Sequence, residues 1–372
     1  MFVALYFAQI TDIHVLSNIA RVFPEDIEQN VLACAQDIEN LPVDFVLCTG
    51  DVALQGTEKE LKKYLELAEK FPVPVYTLPG SHDVWNGPEP WEKLLGERNF
   101  AFETKGYKIV CLDVNKKTSE GRWVAELSPE TEKWLVKELE GSEKTLVAVH
   151  PPPKEVNGVF LDQWRDTNPH KFLSILRKHN VIALITGHWH RNGEWTTQGV
   201  KVVNTGPLCG WQWTGIPPFH GYPVRPGYRI IKLENRTIKS FWRDLYCTTQ
   251  VYITHINRKH TLGPRPQVKV IEVSNTVEVA AKAYSENSSI KEVLLKINDS
   301  EWIKMKKTWS DLWSEWTLKI SIENIKDQVL KIIVKTETTS GEKAYDATIA
   351  VKIPASKIIK EKEILYELHS LS

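Results

Sequence analysis

Five short polar motifs follow apolar, strand-like segments of this 372-residue chain. They are Asp12 with His14, Gly50 with Asp51, Gly80 to Asp83, His150, and Gly187 to His190. A single histidine is more often structural than functional, but polar and charged groups rarely gather by chance at one semi-buried place. Because open α/β sheets bind ligands at the carboxyl ends of their strands, we expect the five motifs to meet at one sheet edge.

The residue types in these motifs are those that bind transition metals. Carboxylates and imidazoles together suit manganese, iron or zinc. One carboxylate can also bridge two ions, and a two-ion centre activates water and clamps the oxygens of an in-line displacement at phosphorus. The motifs therefore predict a centre with two divalent or trivalent ions and no organic cofactor.

The first two thirds of the chain alternate predicted strands with predicted helices. Residues 25–40 carry apolar residues at helical spacing, and a later helix is predicted to begin at Ser128-Pro129, a good capping pair. The segment "VDFVLCTGD" is a continuous apolar run, which is typical of a strand covered on both faces. This alternation predicts an α/β sandwich that would present the motifs at its strand ends.

The ordered set of motifs, in stretches such as "ITDIH", "TGDVA" and "GHWH", resembles the calcineurin-like metallophosphoesterase superfamily. Residues 5 to about 245 are also similar to its class III cyclic-nucleotide phosphodiesterase branch. The resemblance implies a four-layer αββα sandwich. It also implies a metal-dependent phosphoesterase, with a phosphodiester favoured over a phosphomonoester, in which a metal-activated hydroxide attacks phosphorus at a dinuclear centre.

The resemblance further implies a role for each motif residue. Asp12, His14 and His190 would hold the first metal, Asp51 would bridge, and His150 and His188 would hold the second. His82 would contact the phosphate and protonate the leaving oxygen, and Asp83 would orient the His82 ring.

Two positions depart from the pattern of related families. The superfamily normally has Asn before the His-Asp pair, where its amide oxygen binds the second metal, and here that residue is Ser81. A serine oxygen lies closer to the backbone by about one bond, while metal–ligand bonds are about 2.0–2.2 Å long, so we expect Ser81 to be a weak second-metal ligand. The alternative is a one-metal binding or scaffold protein of the same fold. Leu54 stands where purple acid phosphatases carry a tyrosine ligand, so an iron–tyrosinate centre is not expected.

The sequence pattern changes after about residue 248, where short alternating segments are separated by turn residues. This is typical of an antiparallel β-sandwich of immunoglobulin-like type. We therefore predict a catalytic domain, a linker, a β-sandwich domain and a tail, at residues 1–247, 248–265, 266–360 and 361–372. Three roles are open for the β-sandwich: it could position a partner, shape one wall of the cleft, or mediate a homodimer.

Residues 205–227 form a long predicted loop rich in Gly, Pro and aromatic residues, and loops of this length are often functional. Trp211, Trp213, His220 and Tyr222 in this loop are candidates for the walls of a substrate pocket, because aromatic rings stack on planar ligands. The alternative is that these side chains fill a domain interface.

Composition argues against several other classes of protein. The formal net charge is zero, with 47 basic and 47 acidic residues, which argues against a broad surface for nucleic acid or an anionic membrane. The five cysteines are scattered, so neither a disulfide framework nor a cysteine zinc site is expected. No apolar run reaches about 18 residues, and the start reads as a strand rather than a signal peptide. We expect a cytoplasmic enzyme with a small phosphoester substrate.

Overall fold

The computed structural model describes residues 4–16, 24–156, 158–167, 169–210, 225–257, 259–260 and 271–352. The described residues up to Tyr246 form one compact unit, and those from Cys247 onward form a second. In the described part of the chain, no helix combines the length and the apolar character needed to cross a membrane.

The first unit alternates short strands with helices. Its strands are β1 Leu5–Ile10, β2 Phe45–Cys48, β3 Val75–Thr77, β4 Phe100–Thr104, β5 Tyr107–Cys111, β6 Asn115–Lys117, β7 Trp123–Ala125, β8 Thr145–Ala148, β9 Glu155–Val156, β10 Val159–Phe160, β11 Ala183–Thr186, β12 Gly193–Thr197, β13 Val200–Asn204, β14 Gly227–Glu234 and β15 Thr237–Asp244. Its helices are α1 Pro24–Glu39, α2 Glu58–Ala68, α3 Glu89–Leu94, α4 Pro129–Leu139 and α5 Pro169–Lys178, with a 3₁₀ turn at Asp162–Trp164.

Two sheets share a buried core at the centre of this unit. The five-stranded sheet has the order β15-β14-β1-β2-β3, and the six-stranded sheet has the order β12-β13-β11-β8-β5-β4. Side chains from both sheets, among them Phe7 and Leu47 from the first and Ile109, Leu146 and Ile185 from the second, pack into one cluster. β2, β8 and β11 are buried at every residue, as continuous apolar runs require when both faces are covered.

Helices cover the outer faces of both sheets. On the second sheet, Leu135 of α4 and Phe172 of α5 pack with Val147 in one cluster. On the first sheet, the Tyr228 hydroxyl of β14 donates to Asp37 of α1 at 2.9 Å. Helices therefore pack against both sheets, and the mixed α/β fold predicted from the alternation of elements is confirmed.

Two helix starts show why the local sequence forms these helices. The Ser128 hydroxyl accepts from the Thr131 amide at 3.1 Å and Pro129 is the first residue of α4, so the predicted start of this helix is confirmed. Thr57 and Glu60 form a capping box at the start of α2. Capping of this kind satisfies amide groups that have no partner within the helix.

The second unit contains only strands in its described part. They are β16 Thr249–Ile256, β17 Lys259–His260, β18 Ile271–Val273, β19 Thr276–Ser285, β20 Ile290–Ile297, β21 Ile303–Lys304, β22 Lys306–Ser310, β23 Ser314–Ser321, β24 Val329–Thr338 and β25 Lys343–Lys352. They form two five-stranded sheets, of order β17-β16-β19-β23-β22 and β18-β25-β24-β20-β21. One buried cluster joins residues of both sheets, including Val279 and Val334. The immunoglobulin-like assignment stays a prediction.

The structure differs from the prediction at the linker between the two domains. The range 248–265 contains β16, which pairs with β19 in antiparallel register from Thr249 with Ser285 to Ile256 with Val279. The physical reason is that this segment carries enough buried apolar residues, including Val251 and Ile253, to pack as a strand. The predicted tail, 361–372, lies outside the described residues.

Candidate metal centre

The predicted metal ligands lie just past the carboxyl ends of parallel strands. Asp12 and His14 follow β1, Asp51 follows β2, His150 follows β8, and His188 and His190 follow β11. Backbone hydrogen bonds join neighbouring strand ends, since the Asp12 amide donates to the Gly50 carbonyl and the Gly187 amide to the His150 carbonyl, both at 2.9 Å. Asp12, His14 and Asp51 lie at the strand ends of the five-stranded sheet, and His150, His188 and His190 at those of the six-stranded sheet, so the six side chains meet between the edges of two sheets rather than at one sheet edge.

These six side chains form two clusters. Asp12, His14 and His190 form the first cluster, and Asp51, His150 and His188 form the second, with the candidate ligand atoms of each cluster within 4.8 Å of one another. Each cluster combines a carboxylate from the five-stranded sheet with an imidazole from the six-stranded sheet. The grouping coincides with the two metal sites that the family resemblance implies.

Asp51 lies between the two clusters. Its Oδ2 atom is 2.9 Å from His150 Nε2 in the second cluster and 4.0 Å from His14 Nε2 in the first. Asp12 Oδ1 is 3.1 Å from His190 Nε2 and 3.9 Å from His150 Nε2. The clusters are therefore contiguous, since each carboxylate lies within 4.0 Å of a histidine of the other cluster.

Three of the four clustered histidines have one ring nitrogen bound to an oxygen outside the metal-ligand set. His150 Nδ1 is 2.7 Å from the Thr49 carbonyl oxygen, and His14 Nδ1 is 3.2 Å from the Ala53 carbonyl oxygen. His188 Nε2 is 2.8 Å from Asp162 Oδ2. A metal-binding histidine commonly donates its other ring N–H in this way, which fixes the ring orientation and leaves the remaining nitrogen for the ion.

The donor set fits a divalent metal ion. Among the described residues, Asp12 Oδ1 and His150 Nε2 are buried side-chain atoms with no hydrogen-bond partner. His150 Nε2 lies 2.9 Å from Asp51 Oδ2 and Asp12 Oδ1 lies 3.1 Å from His190 Nε2, so the charged neighbours of both atoms belong to the clusters themselves. A buried polar atom without a partner costs about 1–3 kcal/mol, and a cation at each cluster would satisfy one of these two atoms.

The protonation states suit metal binding at the first cluster, whereas at the second cluster an ion would compete with a proton. Burial lowers the pKa of His14 to about 3, so this imidazole is neutral at pH 7. Burial alone would raise the pKa of Asp12, but the neighbouring His190 outweighs it and the pKa falls to about 2. Burial would likewise lower the pKa of His150, but Asp51 outweighs it and raises the pKa to about 10. An ion at the second cluster would therefore displace a proton from His150.

Five of the six ligands adopt left-handed backbone angles. The φ values are 52° at Asp12, 50° at His14, 53° at Asp51, 71° at His188 and 49° at His190. Each such angle at a residue other than glycine costs about 1–3 kcal/mol and persists only where the surrounding structure imposes it. Strain of this kind concentrates at functional sites, so its presence at five neighbouring ligands independently indicates a site.

The glycines of the motifs allow close approach to the ligands. A β-carbon at Gly80 would lie 2.1 Å from Asp51 Oδ1, and one at Gly187 would lie 2.0 Å from Thr11 Oγ1 and 2.9 Å from Asp12 Oδ2. No side chain can be accommodated at such distances without movement of the carboxylates. This explains why glycine precedes the polar residues in both motifs.

His82 lies beside the clusters, and its ring is oriented by a residue other than the predicted one. Its amide donates to Asp51 Oδ1 at 3.0 Å, and its ring centroid is 5.0 Å from that of His14. Its Nδ1 atom is 2.7 Å from the Leu54 carbonyl oxygen, which holds the ring. The two Asp83 carboxylate oxygens instead accept the amides of Ala53 and Gly80, each at 2.8 Å. The prediction that Asp83 orients the His82 ring is therefore wrong.

Asp83 acts on the backbone because its carboxylate is enclosed between two loops. By joining Ala53 to Gly80, it fastens the loop after β2 to the loop after β3, and these loops carry Asp51 and His82. Burial and the neighbouring Asp51 raise its pKa to about 7, although both amide bonds oppose this shift. Its effect on catalysis would be through the position of these loops rather than through the imidazole.

Residues 5–192 match the family model of the calcineurin-like phosphoesterases. This range contains both clusters and His82, and it covers about half of the chain. The chain belongs to the calcineurin-like phosphoesterase family. The predicted membership of this superfamily is thereby confirmed.

Proteins similar to this phosphoesterase carry phosphodiesterase names. A 3',5'-cyclic-nucleotide phosphodiesterase of Nostoc sp. is 26% identical over 236 residues, which cover 61% of this chain and 86% of the relative. A probable glycerophosphodiester phosphodiesterase of Arcobacter nitrofigilis is 29% identical over 196 residues, covering 49% and 71%. Among solved structures, a dimetal phosphatase from Danio rerio is 15% identical with a TM-score of 0.47, covering 65% of this chain and 99% of that one.

Ser81 of this phosphoesterase is buried and hydrogen-bonded. Its side chain is 3% exposed, and its Oγ atom accepts from Gln163 Nε2 at 3.3 Å. The role of Ser81 as a weak metal ligand stays a prediction. The predicted pocket residues Trp211, Trp213, His220 and Tyr222 lie outside the described residues.

Three residues near the centre were missed by the sequence reasoning. Asp162 Oδ2 accepts from Trp189 Nε1 at 2.8 Å in addition to its contact with His188. Gln163 contacts Ser81, and Trp85 stacks on the His82 ring at a centroid distance of 5.3 Å and an angle of 20°. Asp162 and Gln163 belong to no motif, whereas the position of Trp85 two residues after His-Asp was a usable signal.

Proposed function

We propose that this chain is a metal-dependent phosphodiesterase with a two-ion centre. The observation that carries the proposal is the position of Asp51 between the two clusters. Asp12, His14 and His190 would hold one ion, His150 and His188 the other, and Asp51 both. Manganese, iron or zinc suits this donor set. When bound, the ions would supply Lewis-acid chemistry, which lowers the pKa of water and neutralises phosphate oxygens.

The completeness of the second cluster supports the enzyme over the one-metal scaffold. A buried imidazole and carboxylate that served no ligand would cost free energy, yet His150 and Asp51 are both nearly fully buried. The Thr49 carbonyl and Asp162 also hold the rings of His150 and His188. Three protein ligands are sufficient for a catalytic metal site with an open position.

His82 is the proposed acid for the leaving oxygen. The Leu54 carbonyl holds its Nδ1 atom, so Nε2 is the nitrogen that would deliver a proton. Its backbone amide is bonded to Asp51, which keeps the imidazole beside the first cluster. In this position it can also contact a phosphate oxygen.

The substrate is proposed to be a small phosphodiester. The relatives named above act, by their names, on cyclic nucleotides and glycerophosphodiesters, and both classes are diesters. Trp85 supports a diester substrate, because its side chain is 41% exposed and its ring stacks on that of His82, the proposed acid. An exposed indole beside the reacting group can contact the leaving group of a diester.

Removal of metal is expected to abolish hydrolysis. Protein stripped with a chelator should lose activity toward a chromogenic bis-phosphodiester by about 100-fold or more. The reason is that no cation bound at Asp12 and His150 would then neutralise the charge of the phosphate. Addition of Mn²⁺ should restore the rate. Circular dichroism of the stripped protein serves as the control for folding. Full activity in verified metal-free protein would overturn the proposal.

His82→Ala is expected to lower kcat by about 10²–10⁴-fold on an alkyl diester and to leave both ions bound. The loss should be smaller on an aryl diester, because a phenolate leaving group needs less protonation. Metal content and rates with both esters measure these effects. Asn86→Ala is the matched control, since Asn86 is exposed on the same loop and bonds the Gln55 carbonyl. An equal loss with both esters would show that His82 binds phosphate without donating a proton.

A further inference from the structure

We infer that Gln163 supplies the amide oxygen that Ser81 lacks, so that its side-chain carboxamide is a ligand of the second ion. Ser81 would act as a positioning residue, with its hydroxyl holding the amide nitrogen of Gln163. This inference rests on the proposed two-ion function. It assigns a metal ligand to a loop residue that belongs to none of the motifs.

The first observation is the state of the Gln163 side chain. It is 8% exposed, and its Nε2 atom donates to Ser81 Oγ at 3.3 Å. In the described part of the chain, the other end of the amide, Oε1, is buried without a hydrogen-bond partner. Buried amide oxygens almost always have a partner, so an unpaired one indicates a missing donor or cation.

The second observation is the set of contacts made by the 3₁₀ turn at Asp162–Trp164. Asp162 accepts from His188 Nε2 at 2.8 Å, and Trp164 Nε1 donates to the Pro151 carbonyl at 2.9 Å. His188 belongs to the second cluster, and Pro151 directly follows His150. The residues on both sides of Gln163 are therefore attached to ligands of the second cluster or to their neighbours.

The third observation concerns Ser81 itself. The next residue, His82, donates its amide to Asp51 Oδ1 at 3.0 Å, which places Ser81 beside the shared carboxylate. Gln163 therefore contacts Ser81, which lies beside Asp51, and it directly follows Asp162, which is bonded to His188. Its carboxamide offers the same neutral oxygen donor as the family's asparagine, and the longer side chain would approach the second ion from another loop.

The test is Gln163→Met in the full-length chain, with calorimetric titration of metal-free protein by Mn²⁺. Met keeps the length of the side chain and removes the amide oxygen. We expect the Kd of the second ion to rise by about 10-fold or more while the first ion binds unchanged. Binding of the first ion also shows that the variant is folded. Gln250→Met is the matched control, because Gln250 is likewise 8% exposed and lies in the second unit, which contributes no residue to either cluster.

A rescue experiment separates a ligand from a merely structural residue. Ser81→Asn in the Gln163→Met background returns an amide oxygen from the other side and should restore the affinity for the second ion. An unchanged second Kd in Gln163→Met, or no rescue by Asn, would overturn the inference. If either of these outcomes is found while the unaltered chain binds two ions and hydrolyses a diester, the inference about Gln163 is overturned and the proposed function stands. If the unaltered chain binds fewer than two ions, both are overturned.

Discussion

Asp51→Asn is expected to remove the second ion, weaken the first, and lower diester hydrolysis by about 10³-fold or more. The carboxylate is 2% exposed and faces His150 at 2.9 Å and His14 at 4.0 Å, so its charge serves both clusters. Asparagine keeps the shape and can still accept from the His82 amide at the Oδ1 position, so the loops should remain in place. Mn²⁺ titration and the rate with a chromogenic diester measure the two effects.

Asp113→Asn is the matched control for this experiment. Asp113 is another buried carboxylate, 7% exposed, and it pairs with Arg98 outside both clusters. Loss of that pair should lower the melting temperature and leave two ions bound, because the change breaks a salt bridge but removes no ligand. If Asp51→Asn bound two ions as tightly as the unaltered chain, Asp51 could not be the shared ligand.

Gly80→Ala is the second change with a large expected effect. The new β-carbon would lie 2.1 Å from Asp51 Oδ1 and 2.5 Å from the Asp51 amide nitrogen, far inside van der Waals contact. Either the carboxylate or the loop carrying Ser81 and His82 must move. We expect loss of the second ion, a fall in hydrolysis of about 100-fold, and a drop of about 1–3 kcal/mol in the free energy of unfolding.

Gly106→Ala separates this steric effect from the general cost of replacing a glycine. No atom lies within 4 Å of a β-carbon at Gly106, whose φ is 76°, so this variant should lose only about 1–2 kcal/mol of stability and keep its metals. Chemical denaturation and metal content would be measured on both variants. Normal metal binding and rate in Gly80→Ala would show that the loops tolerate separation from Asp51.

The strand-end motifs and the α/β alternation were readable without the structure because both arise from local patterns. The helix predicted at 25–40 is observed at Pro24–Glu39, and the buried runs of β2, β8 and β11 have no polar alternation. Asp12 and Asp51 meet because the parallel strands β1 and β2 place their carboxyl ends at one edge, whereas His150 follows a strand of the other sheet and joins them through the packing of the two sheets.

The partners of these side chains depended on tertiary structure. Asp83 bonds the amides of Ala53 and Gly80 rather than the His82 ring, because the loops after β2 and β3 close around its carboxylate. Which nitrogen of each histidine faces the cluster depends likewise on the carbonyl or carboxylate that packs behind the ring. Neither property has a local sequence signal.

Gln163 and Asp162 show most clearly that contacts between distant loops leave no local signal in the sequence. The contact of Gln163 with Ser81 spans 82 residues, and that of Asp162 with His188 spans 26. Helical or strand periodicity reports only which face of an element is buried, over a few residues. A polar contact between two loops depends instead on where the packed layers bring those loops together, so the surroundings of the second cluster were decided by the packing of the two sheets.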